Sequence, residues 1–346
     1  MTDSEDHASR KGFLSPRLLI GILILVAICF LVVSNHSAWS GITKVMHHFS
    51  IDRAPFLLIC VVAEVLSFFC YALVQRNLLM EGGARLSRRT MIKLAVAATG
   101  LTNLLPGGTA PASGWLVTQY KKRGIPMPLA LWSVIVGGLA ATLSILLLVI
   151  VGATIAGFLN AWSAPLCLLA LAFGAVLVTF LLRHIEVVEN WLGSHNLGRL
   201  HKWVSRVSER LTETSKIRAS RAVSAKVLYL SIGNWGLDVA VLVAAFAFLG
   251  LGIPWRAVLF AYAIAQVAGS IAPVPGGIGF VEGGMVGAFA LAGVDTGPAI
   301  LAILVYRLLT SVGMAAVGSV MLFRISRVDH PEGAKLTDAA KEMRSS

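Results

Sequence analysis

Residues 273–283 read Pro273-Val274-Pro275-Gly276-Gly277-Ile278-Gly279-Phe280-Val281-Glu282-Gly283, inside an otherwise apolar stretch spanning 256–292. Proline withholds a backbone donor and glycine favours turns, so Pro275-Gly276-Gly277 ends a helix. A second break of the same composition, Pro106-Gly107-Gly108, interrupts the apolar stretch 91–120 in the other half of the chain. In hydrocarbon, broken backbone survives only where it is buried in protein or lines a polar cavity. Paired interruptions at corresponding places point to the binding site of a membrane transporter.

Composition fixes the solvent. Hydrophobic residues make up 57% of the 346 residues and charged ones 13%, with a mean hydropathy of +0.80. Soluble domains carry about 25% charged residues, so most of this chain belongs in a bilayer. The net charge of +12 does not indicate nucleic acid. Lys and Arg cluster between apolar spans, where they orient the chain and meet anionic lipid. Cys29, Cys60, Cys70 and Cys167 all lie in apolar stretches without metal-ligand spacing and read as packing residues. His36, His47 and His48 form no evident ligand set, and no metal or other cofactor is implied.

A span needs roughly 20 apolar residues. Full-length candidates are 17–34, 55–75, 127–156, 163–182, 226–249 and 297–323. The arms of the first broken region, about 15 and 12 residues, reach roughly 22 and 18 Å, short of a core of about 30 Å. A re-entrant hairpin fits them. The arms of the second, roughly 19 and 16 residues by the same rise, fit either a hairpin or two crossings. Placing the N-terminus inside puts 25 of the 29 Lys and Arg residues on the cytoplasmic side. The expected fold is an all-α polytopic membrane protein: six full transmembrane helices plus two re-entrant helical hairpins in two inverted repeats. The repeats cover about 55–156 and 226–323 within a membrane domain at 17–323, flanked by cytoplasmic tails 1–16 and 324–346. Segment 184–222 reads as a cytoplasmic linker with an amphipathic helix, because Leu197, Leu200, Val204, Val207 and Leu211 recur at helical spacing.

Charges deep in spans are costly and mark function by default. Four qualify: Glu64, Asp238, Glu282 and Arg307. Counted from the expected helix starts, Glu64, Asp238 and Arg307 lie roughly 14, 18 and 15 Å deep. Glu282 follows the second turn and reaches a similar depth if that turn is re-entrant. A buried Glu282–Arg307 pair is the plain structural alternative. Asn103, Pro106, Gly107, Gly108, Pro275, Gly276, Gly277 and Gly279 complete the expected substrate site. Helix N-termini that begin mid-membrane suit an anionic headgroup. Thr102, Thr109 and Ser113 supply further polar groups, which could equally satisfy freed carbonyls.

At these residues the chain resembles the lysylphosphatidylglycerol synthase transmembrane-region family, also described as flippase-like integral membrane proteins. The resemblance rests on Asn103-Leu104-Leu105-Pro106-Gly107-Gly108, on 273–283, on Gly293-Val294 and on Tyr306-Arg307, and spans roughly 17–323. It implies a multi-pass protein of the bacterial cytoplasmic membrane, both termini inside, concerned with lipids or lipid-linked polar groups. In the best-understood members a soluble domain that aminoacylates phosphatidylglycerol follows. The sequence here runs only to residue 346, so that chemistry is not expected of it. Thr109-Ala110-Pro111-Ala112-Ser113 stands where many relatives carry an acidic residue and an arginine. The function expected is translocation of a phospholipid or lipid-linked headgroup, with no catalytic residue. The alternative is an intramembrane transferase or accessory subunit acting on a polyprenyl-phosphate or glycolipid. The partners expected are membrane lipids; no nucleic acid is expected, and a homo-oligomer is compatible with the sequence.

Overall fold

A computed structural model describes residues 51–183, 217 and 219–327. The expected first span, 17–34, the N-terminal tail, the C-terminal tail beyond 327 and most of segment 184–222 lie outside them. The described residues form α-helices and short 3-10 or π turns: α1 (Ala54–Glu81), α2 (Arg88–Leu104), α3 (Thr109–Lys122), α4 (Met127–Ile155), α5 (Ser163–Arg183), α6 (Arg221–Phe248), α7 (Val258–Ser270), α8 (Phe280–Leu291) and α9 (Thr296–Arg327). Helices α1, α4, α6 and α9 are long and apolar enough to cross a membrane.

Both Pro-Gly-Gly sequences break helices. Residues Leu105 to Gly108 separate α2 from α3, and Ile271 to Gly279 separate α7 from α8 around a 3-10 turn at Pro275–Gly277. The second break consumes more chain than expected, because Ile271 to Val274 already leave the helix and Gly276, Gly277 and Gly279 all adopt positive φ. Its arms are therefore 13 and 12 residues, not 19 and 16, and reach only about 20 and 18 Å. The spans also run past their expected ends: α1 continues to Glu81 and α9 to Arg327. Polar and basic ends carry these helices beyond the apolar stretch. Within α9, residues Leu308–Gly313 wind as a π turn directly after Arg307.

Helices α1 and α6 pack antiparallel along their whole length, and the polar contacts between them record the register. The Ser220 N–H donates to Glu81 Oε1 (2.7 Å), Ser67 Oγ to the Asn234 carbonyl (3.1 Å), Cys60 Sγ to the Val241 carbonyl (3.6 Å) and Arg53 Nη1 to the Leu249 carbonyl (2.9 Å). Cys60, Glu64 and Ser67 fall on one stripe of α1, at i, i+4 and i+7. The other face of α1 exposes Leu58, Val61, Val62, Val65 and Leu66. Polar inside and apolar outside is the arrangement a lipid solvent demands.

The broken segments pack on the spans of the opposite half. Gly152 of α4 meets the backbone of Phe260 in α7, and Gly100 of α2 meets that of Gly318 in α9. A Cβ on Gly152 would stand 2.7 Å from the Phe260 nitrogen, and one on Gly100 2.5 Å from the Gly318 Cα. Small residues here let backbones approach, as membrane helix crossings require. The main buried cluster gathers Leu78, Leu79, Met91, Leu94, Tyr120 and Leu129 near one end of α1.

Candidate functional site

The two breaks touch. The Pro275–Gly277 turn packs on α2, and Gly276 faces Asn103 at its last turn. At φ +59, Gly276 occupies a conformation that L-residues avoid, and a Cβ there would lie 3.3 Å from the Asn103 carbonyl oxygen. At the first tip, a Cβ on Gly108 would run into the carbonyl of Thr102. Thr102 itself donates to the Ala98 carbonyl (3.1 Å), back onto its own helix. Both tips are partly open. Pro106, Gly107, Thr109, Ala110 and Pro111 are exposed at the first, and Ile278, Gly279 and Phe280 at the second.

Glu282 and Arg307 hold the second turn. Glu282 sits in the first turn of α8 and accepts the Gly279 N–H through Oε2 at 2.7 Å, capping that helix. Its other oxygen accepts from Arg307 Nε at 2.5 Å, and Arg307 Nη2 donates to the Gly276 carbonyl at 2.6 Å. The ring closes: turn to carboxylate, carboxylate to guanidinium, guanidinium back to turn. The Arg307 side chain is 12% exposed and that of Glu282 27%, so this charge pair is only partly shielded. The α8 N-terminus is thus occupied by Glu282, whereas no side chain caps α3 at Gly108.

The register that pairs Cys60 with Val241 and Ser67 with Asn234 sets Glu64 opposite Asp238 across the α1–α6 seam. Glu64 is 9% exposed. By helical rise it lies about 16 Å from Arg53 and about 26 Å from Glu81. Asp238 Oδ2 accepts from Tyr262 Oη of α7 (2.6 Å) and from Tyr306 Oη of α9 (3.1 Å). Gln266, one turn after Tyr262, donates through Nε2 to Tyr306 Oη (3.1 Å). The four charges expected within spans therefore form two pairs, Glu282 with Arg307 and Glu64 with Asp238. Consecutive residues Tyr306 and Arg307 connect them. Sequence reasoning did not single out Tyr262 or Gln266. Their signal was a polar pair at i and i+4 in a short apolar arm, facing an unexplained Asp238.

The family model described as "Lysylphosphatidylglycerol synthase TM region" matches residues 18–318. The chain belongs to that family. As a lysylphosphatidylglycerol synthase transmembrane-region protein it is a multi-pass membrane protein of a family associated with lipid handling. No curated protein matches it. Within this family match, the residues that carried the sequence resemblance fall at the two breaks, at Gly293-Val294 between α8 and α9, and at the Tyr306-Arg307 junction between the paired charges.

Proposed function

We propose that this protein moves a phospholipid or lipid-linked polar headgroup across the bacterial cytoplasmic membrane, with both termini cytoplasmic. The observation that carries the reading is the contact of Asn103 with Gly276, which joins two exposed helix breaks beside an ion pair. All four arms, at 17, 14, 13 and 12 residues, are shorter than the roughly 20 residues of a crossing. In this reading each broken segment is a re-entrant hairpin, the two entering from opposite faces. The packing supports two inverted repeats, α1 to α4 and α6 to α9. Exchanging the halves turns the α2–α9 crossing into the α7–α4 crossing and returns the antiparallel α1–α6 pair to itself.

In this reading the exposed tips accept the headgroup near the middle of the bilayer. Arg307 and the uncapped N-terminus of α3 face its anionic part. Glu64 and Asp238 serve its cationic part or a coupled ion. Lipid tails remain in hydrocarbon while the head passes the tips. The test is reconstitution into vesicles carrying head-labelled lipids of several classes. Faster transbilayer movement than in empty vesicles, lost in Arg307→Ala, is expected. No acceleration for any lipid sinks the proposal, and a covalently altered lipid would point to transferase chemistry instead.

A further inference from the structure

Two buried oxygens on the α1–α6 seam, Glu64 Oε2 and Asp238 Oδ1, receive no hydrogen bond from the rest of the fold. They belong to carboxyls that the antiparallel register, Cys60 against Val241 and Ser67 against Asn234, sets opposite one another. Two ionised carboxylates cannot bond, since each only accepts. Their like charges also repel strongly where water is scarce. A single proton between them removes both defects, supplying a donor and cancelling one charge. Tyr262 and Tyr306 already donate to Asp238 Oδ2, which favours Asp238 as the accepting, ionised partner. Glu64 is then the donor.

We propose that Glu64 and Asp238 form a carboxyl pair holding one proton, carried on Glu64 and donated to Asp238, and that this pair is a proton-exchange site. The surroundings fit a single net negative charge. Arg307 acts electrostatically on Asp238 from α9, although its own bonds go to Glu282 and Gly276. The other titratable groups nearby are Tyr262, Tyr306 and, one turn along α1, Cys60. Helix α4 contributes no titratable residue, nor does α2 beyond Lys93. Asp238 is half-buried as a residue, which leaves the pair one side open for exchange. Release of the proton leaves two adjoining carboxylates, a state that an arriving cation stabilises. Use of the site to drive transport rests on the translocation reading; the proton does not.

Infrared spectroscopy of the purified full chain in lipid nanodiscs tests the proton without any transport assay. At neutral pH the wild type should show the carbonyl band of a protonated carboxyl, and transfer to D2O should shift it. Glu64→Gln should lose the band, while Asp295→Asn, at an exposed helix cap outside the pair and the site, should keep it. If Glu64→Gln yields no folded protein, Asp238→Asn removes the acceptor and should abolish or displace the band. A wild type without the band, or a band unchanged in both pair variants, overturns the shared proton. A band that D2O never shifts overturns the exchange site. Either failure leaves lipid translocation standing, and a translocation failure leaves the spectrum unaffected.

Discussion

Replacing Arg307 with Met removes the guanidinium that ties the second turn to α9. The variant loses the bond to Glu282 and the bond to the Gly276 carbonyl. Breaking a fully buried ion pair by deleting one partner costs about 3–5 kcal/mol. Here Glu282 is 27% exposed and keeps the Gly279 N–H, so the lower end applies, about 3 kcal/mol. Orphaning the turn carbonyl contributes within that figure. Glu282→Gln retains an oxygen for Gly279 but leaves the arginine unpaired, at a cost of about 1–3 kcal/mol. The double variant has no unpaired charge and should be more stable than the sum of the singles predicts. The assay is a double-mutant cycle by reversible chemical unfolding in mixed micelles. A coupling energy of about 1.5–3 kcal/mol is expected for groups in direct contact. Additivity within about 0.5 kcal/mol would refute the claim that the pair staples the turn.

Gly276→Ala should cost about 1–2 kcal/mol through its left-handed backbone, whereas Gly114→Ala, in open space within α3, should be neutral or stabilising; thermal unfolding ranks them. Replacing the native cysteines and introducing Ser67→Cys with Asn234→Cys should give a cross-link between α1 and α6 on mild oxidation, and an uncross-linked product by mass spectrometry contradicts the register. Gly318→Leu should disrupt the α2–α9 crossing and lower thermal stability by more than Gly287→Leu, whose Cβ meets open space.

Much of this architecture is legible in the sequence because lipid is a demanding solvent. Apolar length forecasts α1, α4, α6 and α9, and Pro-Gly-Gly forecasts both breaks. Charges such as Glu64 and Arg307 stand out because hydrocarbon makes them expensive. The partners of those charges are less legible. That Glu282 meets Arg307 while Glu64 meets Asp238 depends on how α1, α6, α8 and α9 pack, and one-dimensional periodicity carries no such information. Tyr262 and Gln266 escaped notice because tyrosine and glutamine are unremarked in apolar arms until a carboxylate is placed opposite. The π turn after Arg307 has no marker such as proline, since Leu308–Gly313 reads as ordinary helix. The second break proved longer than its Pro-Gly-Gly core because Ile271 to Val274 already leave the helix.

The most direct test of the central claim is an experimental density map of the protein in a lipid nanodisc, in which the bilayer planes are visible. The Asn103–Gly276 contact should lie inside the hydrocarbon layer, with headgroup or water density against the exposed tips. Tips lying at the membrane surface, or separated from each other with hydrocarbon between them, would contradict it.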